Sequence, residues 1–388
     1  MAGIGRNFPL AALMLVILAV AAATLPSAMW VCGVAAVLGL AGVVAFRGNG
    51  WRSGALAAAA VALSLALLDA FAGLLSPGAM GQGLVRTIEP RHWPPPNPVL
   101  GFRPLPDSSA VATATYGGEL IYRRTYNFDS EAARVTPAAP AGADTYLFVG
   151  DSFTFGQGLA DDETLASQFA RSAGLKVRGV NLGVPGYGPN HLVRMIEAGL
   201  LDLYQPRPVK AVVTWIIPAQ LARVTGEGSW LGTSPRYALE GGTLRYTGTF
   251  NEYRWTHPLA GLRYLLGQQF AFVDAIGRQQ RQVEQVELFV ALMQRLHEDV
   301  RAKFGVPLYV VYSWPDETSG TGYAQQGIAQ PMLIDVLARL RKAGMILVAV
   351  DQLTGKYDVS QLLIPHDGHP NAFTNQLIAA DLARRLIK

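Results

Sequence analysis

Three apolar runs, each about as long as a bilayer core is thick, crowd the first 75 residues and limit the chain more than any other feature. They read "FPLAALMLVILAVAAATL" from Phe8, "MWVCGVAAVLGLAGVVAF" ending at Phe46, and "SGALAAAAVALSLALLDAFAGLL" ending at Leu75. A helix needs roughly 20 apolar residues to cross the hydrocarbon core. Residues 1–75 are therefore expected to be a membrane anchor of three transmembrane helices. A cleaved signal peptide is the other reading of the first run, but two further runs follow at once. Arg6 precedes the first run, Arg47 and Arg52 occupy the second loop, and the first loop carries no charge. The positive-inside rule then puts the N-terminus and the second loop in the cytoplasm, and everything after residue 75 on the outer side. For a Gram-negative cell this is a multi-pass inner-membrane protein with a periplasmic domain.

Of the 388 residues, half are apolar and 15% are charged, with a net charge of +4. There is no Lys/Arg run, which argues against nucleic acid as a partner. The single cysteine, Cys32, excludes an intrachain disulfide and a cysteine zinc site. Asp69, in the third run, is either a functional mid-membrane carboxylate or a group near the outer interface. Residues 76–99, ending "RHWPPPNP", are Pro-rich and expected to be a semi-rigid spacer.

From about residue 100 to 388 the pattern is α/β. "TYLFVG" (145–150), "KVRGVNLG" (176–183), "VKAVVTWII" (209–217), "PLYVVYSW" (307–314) and "MILVAV" (345–350) read as strands. Helical patterns lie at 162–174, 190–204, up to Lys303, 331–344 and 372–387. Alternation of this kind predicts a doubly wound parallel sheet covered on both faces. "PRYALEGGTLRYTG" (235–248) predicts a β-hairpin with Gly241 and Gly242 at its tip, inside an insertion over about 225–260. The tryptophans and tyrosines of 215–255 are open to two readings, core packing or a sugar-stacking surface.

Sites in open parallel sheets lie at the carboxyl ends of strands. Ser152 stands there, in "FVGDSFTFGQG". A serine hydroxyl needs a base to become a nucleophile, and histidine titrates near neutrality. His369 and Asp367 share the polar loop "HDGHPN" before the last helix, and Asp367 is close enough to fix the imidazole tautomer. The bland alternatives are a turn serine, a surface histidine and an N-capping aspartate. His191 reads as a first-turn helix residue. "NLGVPGYGPN" (181–190) is a Gly-rich strand end, able to turn backbone N–H groups toward a developing oxyanion or simply to make a turn.

Together these blocks resemble the SGNH/GDSL hydrolase family, over residues 100–388. "GDSFTFG" resembles its first block, "NLGVPGYG" its second and "DGHPN" its last. The lead-in "LGFRPLP … YRRTYNFDSEAARVTP" is similar to that of membrane-anchored bacterial members. The resemblance implies a flavodoxin-like domain, Ser152 as nucleophile, His369 as general base, Asp367 as its carboxylate, and an oxyanion hole from the backbone N–H groups of Ser152 and Gly186. Two departures stand out. The family's Asn after the third strand is missing; "WIIPAQLAR" offers Gln220 as the nearby amide. The family's Asp often lies three residues before its His, where this chain has His366; the Asp-x-His spacing seen here is that of the polysaccharide O-acetyltransferase-like branch. The implied activity is hydrolysis of ester bonds, with O-acyl transfer to a cell-surface glycan and a catalytically inactive binding or assembly protein as alternatives. An acylated small molecule or glycan is the implied substrate. No metal or organic cofactor is implied, and the oligomeric state is left open.

Overall fold

The computed structural model describes residues 4–24, 28–75, 83–313 and 330–387. The chain forms two compact units, one of Met1–Gly78 with Arg254–Gln280, the other of Ala79–Tyr253 with Arg281–Lys388.

The first unit opens with α1 (Ile4–Thr24), α2 (Ala28–Ala45) and α3 (Asn49–Leu75). Asn7 exchanges two hydrogen bonds with the backbone of Arg47, at 2.7 and 3.1 Å, tying the start of α1 to the α2–α3 loop. Small residues face inward, Ala36, Ala59 and Ala62 being buried, while Leu56, Val61, Leu63, Leu67 and Leu68 point outward. Asp69 is buried within this unit. Three full-length spans were expected. By length and composition one stretch of the described residues is long and apolar enough to cross a membrane, Asn49–Ala70; Asn7–Leu18 and Val31–Ala45 are shorter apolar helices.

The second unit begins earlier than its sequence suggests. Residues 76–82 lie outside the described residues, but the rest of the expected spacer is folded. β1 (Leu84–Glu89) is followed by a two-strand ribbon of β2 (Pro96–Asn97) and β3 (Gly101–Phe102). β1 then pairs antiparallel with β4 (Ser109–Tyr116), which pairs antiparallel with β5 (Glu119–Asn127). In β4 only alanines, Ala110, Ala112 and Ala114, turn inward, alternating with Ser109, Val111, Thr113 and Thr115. Such weak contrast hides the strand from a periodicity test.

The parallel sheet follows. β6 (Thr145–Gly150) runs into α4 (Ser152–Phe155) and α5 (Leu165–Ser172), then β7 (Arg178–Asn181), α6 (Pro189–Glu197), β8 (Val209–Ile216) and α7 (Ala219–Arg223). α5 starts late because Thr164 caps it, its side chain accepting from Ser167 N–H. α6 stops early at Gly199, whose φ of 72° ends helices. The predicted hairpin is β9 (Pro235–Glu240) with β10 (Thr243–Thr249). The interruption then continues past residue 260, through α8 (Phe250–Thr256), α9 (Pro258–Gln269) and α10 (Ala271–Ala275), before α11 (Arg278–Phe304) resumes the alternation. β11 (Leu308–Tyr312), α12 (Gln330–Lys342), β12 (Ile346–Ala349), α13 (Val350–Thr354), α14 (Val359–Leu362) and α15 (Ala372–Leu386) complete the unit.

The five parallel strands lie in the order β12-β11-β8-β6-β7. Numbered along the chain this is 2-1-3-4-5, the flavodoxin-like order. β6 is buried throughout, and its side chains divide between two cores. Leu147 and Val149 pack with α6, α11 and α12 through Val193, Phe289, Leu292 and Leu337. Tyr146 and Phe148 pack with α5 and α15 through Leu165, Phe169, Ile378 and Leu382.

The fully buried Arg134 joins these parts. Its main chain bridges the residue after β5 to the end of β7, with N–H donating to Asn181 O at 2.8 Å. Its guanidinium pairs with Asp161 at 2.8 Å and donates to the carbonyls of Phe155, Gly156 and Leu159. It also stacks over the rings of Tyr126 and Phe155, 4.4 and 4.5 Å from their centroids. Arg134→Met should therefore cost about 3–5 kcal/mol, because it takes the cation from Asp161, which keeps only its bonds from Asn127, and removes the guanidinium donors from three buried carbonyls, of which Leu159 O loses the one it has. Arg134→Lys should recover little, since one ammonium cannot span the same fork. Thermal unfolding of the purified chain checks this; a loss under about 1 kcal/mol for Arg134→Met would mean that water or a neighbour replaces the clamp.

Candidate active site

The nucleophile candidate sits where β6 turns into α4. Gly150 has φ 157°, and a Cβ there would lie 2.2 Å from Thr154 Oγ1, so the turn requires glycine. Asp151 caps α4, accepting from Phe153 N–H at 3.0 Å. Its other oxygen pairs with Arg223 at 2.7 Å. Ser152 is thereby fixed as the first residue of α4, a position whose N–H has no intrahelical partner.

The last loop delivers the other two groups. Ile364 N–H donates to His369 O, and Asn371 caps α15 by accepting from Thr374 N–H, so the loop is pinned at both ends. His369 Nε2 lies 2.9 Å from Ser152 Oγ across 217 residues of sequence. His369 Nδ1 meets Asp367 Oδ1. With Nδ1–H given to the carboxylate, Nε2 is left to accept the serine proton. The Phe153 ring stands 5.2 Å from the imidazole.

Asp367 holds more partners than its histidine. Arg86 Nε donates to Asp367 Oδ2 at 2.9 Å and its Nη2 to the Asp367 carbonyl at 3.0 Å. Tyr122 Oη donates to Oδ2 at 3.2 Å. Burial alone would raise the carboxyl, but His369 and then Arg86 outweigh it and hold Asp367 well below the ordinary carboxylate range. Burial, with Asp367 beside it, pushes the Tyr122 phenol up, so that it remains a donor. Arg86 and Tyr122 escaped sequence reasoning. Arg86 is 281 residues from Asp367, in a strand whose local pattern singles out no residue. Tyr122 lies in the lead-in stretch, without a motif of its own.

Gly186, the expected second backbone donor, faces the same cavity as Ser152 and His369. Its loop is held from three sides. Trp230 Nε1 donates to Gly186 O at 3.4 Å, Tyr187 Oη to Phe102 O at 2.6 Å, and Arg223 to Tyr187 O at 2.8 Å. Gln220 departs from expectation. It is buried on α7, its Nε2 donates to Trp215 O at 3.1 Å, and it is not among the residues lining the cavity. The α7 side chain that does line it is Arg223, one turn on. His191 is buried in the first turn of α6, accepting from Gly188 N–H at 3.1 Å. Burial, reinforced by the Arg223 cation, pushes it down to about 3, so it stays neutral.

The cavity has a volume of about 820 Å³. Its walls come from Trp93, Pro94 and Phe102 of the early segment, Tyr122 and Tyr126 of β5, Pro185, and Trp230. The aromatic residues of 215–255 thus divide. Trp215 and Tyr237 are core, while Trp230 is a wall of the cavity. Among the described residues no group of His, Cys, Asp and Glu could hold a metal ion.

No family model and no curated protein matches the chain. Among solved structures it is similar to an acetylxylan esterase from Geobacillus stearothermophilus, at 13% identity over 66% of this chain and 97% of that one, with a TM-score of 0.35. It is also similar to an α/β hydrolase from the metagenome of Lake Arreo, Spain, at 17% identity over 65% and 98% of the two chains, with a TM-score of 0.36. The SGNH-hydrolase esterase AlinE4 gives 15% identity over 63% and 94%, with a TM-score of 0.33. Scores this low give these likenesses no weight beside the site's own geometry.

The Arg86–Asp367 pair carries a pH signature. A carboxylate with a depressed folded-state pKa adds stability that is fully present above its unfolded value, about 3.9, and fades as pH falls below that toward the folded value. Arg86→Gln weakens the depression. Its stability deficit against the wild type should be largest near neutrality and close as pH falls from the variant's folded-state Asp367 value toward the lower value of the wild type. Unfolding midpoints across pH 2–7 check this, and a deficit independent of pH would assign Arg86 a packing role only.

Proposed function

We propose that the second unit is a serine esterase of SGNH/GDSL type, acting on O-acyl esters, and that α1–α3 anchor it in the inner membrane as a three-pass bundle with the catalytic unit in the periplasm. The observation that carries the reading is the continuous chain Asp367–His369–Ser152 opening into one cavity. Ser152 Oγ attacks the acyl carbonyl while His369 takes its proton. Asp367, held ionised by Arg86, stabilises the imidazolium. The oxyanion is received by the N–H groups of Ser152 and Gly186. His369 returns the proton to the leaving alcohol, and a water activated by the same imidazole releases the acid. Gln220 has no part in this hole. The Trp93, Phe102 and Trp230 walls suit an apolar acyl group or a sugar face.

Acyl transfer to a glycan is a second reading, favoured by the cavity's size, which leaves room for an acceptor beside an acyl group. Both share the acyl-enzyme and differ in what resolves it.

The full chain should label with a fluorophosphonate and hydrolyse p-nitrophenyl esters. Ser152→Ala should abolish labelling and lower kcat by about 10³-fold or more. Gln220→Ala should stay within a few-fold of wild type, whereas losing a true oxyanion donor costs about 10²–10³-fold. An unlabelled, folded wild type would sink the esterase. Adding glycan acceptors separates the two readings, since acylated sugar forms only if transfer competes with water.

For orientation, alkaline phosphatase fused to the C-terminus should be active in a Gram-negative host, and a cytoplasm-dependent fluorescent fusion dark. The opposite pattern would reverse the topology set by Arg6, Arg47 and Arg52.

A further inference from the structure

α9 is built inside out. In a helix on a soluble domain leucines turn inward and polar residues outward. Here Leu259, Leu262, Leu265 and Leu266 are exposed, Leu259 to 82%. These positions cover one face at helical spacing. The half-buried side of the helix carries Ala260, Gly261, Tyr264 and Gly267 instead. Gly261 lets the helix approach α8 closely, since a Cβ there would lie 2.8 Å from Arg254 O. Tyr264 takes the Arg254 guanidinium over its ring, 3.4 Å from the centroid. Small residues inward and leucines outward is the polarity of α3, whose Ala59 and Ala62 are buried while Leu63 and Leu67 are exposed. α9 belongs to the same compact unit, and the neighbouring α10 packs on α3. Trp255, just before α9, is 86% exposed.

We infer that α9 lies in the headgroup layer of the bilayer with its leucine face toward the acyl chains, a second, in-plane attachment of this chain to lipid. The inference rests on reading α3 as membrane-spanning. Twelve residues make a helix of about 18 Å, too short to cross a core of about 30 Å, so the helix lies along the surface. Trp255 fits the interfacial aromatic belt, and the exposed Arg263 on the edge of the leucine face can reach lipid phosphates while its stem stays in the apolar layer. A partner protein would equally cover leucines. Lipid is favoured because the face continues the outward polarity of α3 within one unit, and because aromatic and basic side chains flank it as they flank a bilayer-bound helix.

The test uses the full chain with Cys32→Ala, reconstituted in vesicles of phosphatidylethanolamine and phosphatidylglycerol. Nitroxide labels are placed through Leu259→Cys, Leu262→Cys, Leu67→Cys on α3 and Thr243→Cys at the hairpin tip. Collision rates with oxygen, which concentrates in lipid, are compared with those of a water-soluble nickel chelate. The ratio of oxygen to nickel collisions at 259 and 262 should be several-fold above that at 243, with 67 also high. High at 67 but aqueous at 259 and 262 overturns the inference alone. Aqueous at 67 sinks the anchor itself. Low collision with both reagents at 259 and 262 means protein covers the face, and also overturns it.

Discussion

One buried guanidinium holds the second unit together. The turn that presents Ser152 is short, and its C-terminal carbonyls, at Phe155 and Gly156, point into the protein where water cannot satisfy them. Arg134 supplies the donors, and Asp161 balances its charge. The same residue is joined through its main chain to the end of β7. The antiparallel sheet, the parallel sheet and the turn that presents Ser152 therefore share a single polar junction. In the low dielectric of the interior such a junction is strong only when complete, so its parts are fixed relative to one another.

The site repeats this logic on a smaller scale. His369 orients toward Ser152 because Asp367 holds its other nitrogen. Asp367 stays ionised in a buried position because His369 and then Arg86 outweigh the cost of its burial, and Arg86 and Tyr122 hold its second oxygen in place. Each link removes a freedom from the next: Arg86 fixes the carboxylate, which fixes the tautomer, which aims the lone pair. Arg223 does the equivalent for the opposite wall, linking Asp151 beside the serine to the loop of Gly186.

Much of this was legible in the sequence, for identifiable reasons. β6, β8 and β11 are mostly apolar runs, and the helices between them have regular spacing, so the parallel core announces itself. Ser152, Asp367 and His369 stand in short loops at element ends, where a residue type alone narrows the chemistry. The antiparallel sheet was not legible. β4 turns alanines inward, and β1 lies within the Pro-rich stretch that resembles a linker. Arg86 gave no signal, because its role exists only through a partner 281 residues away. Gln220 lies away from where its place in the sequence suggests. Proximity in sequence suggested an amide at the site, but the short α7 turns that side chain back onto its own strand and brings Arg223 forward instead. The length of the interruption after β10 was also hidden, since α9's leucines follow the helical period of a core helix and only their exposure marks them as different.

The early strands carry a consequence for inheritance. Ser152, Asp367 and His369 all belong to the part of the chain built on the parallel sheet, at the start of α4 and in the loop before α15. More than half of the residues lining the cavity nevertheless come from positions before 127, as does Arg86, which holds the Asp367 carboxylate. A recombination event that carried away only the parallel-sheet part would keep Ser152, Asp367 and His369 and lose most of the cavity's walls. On the function proposed above, the early strands and the parallel-sheet core would have to be inherited as one piece, with substrate preference written mainly in the part that reads as a tether.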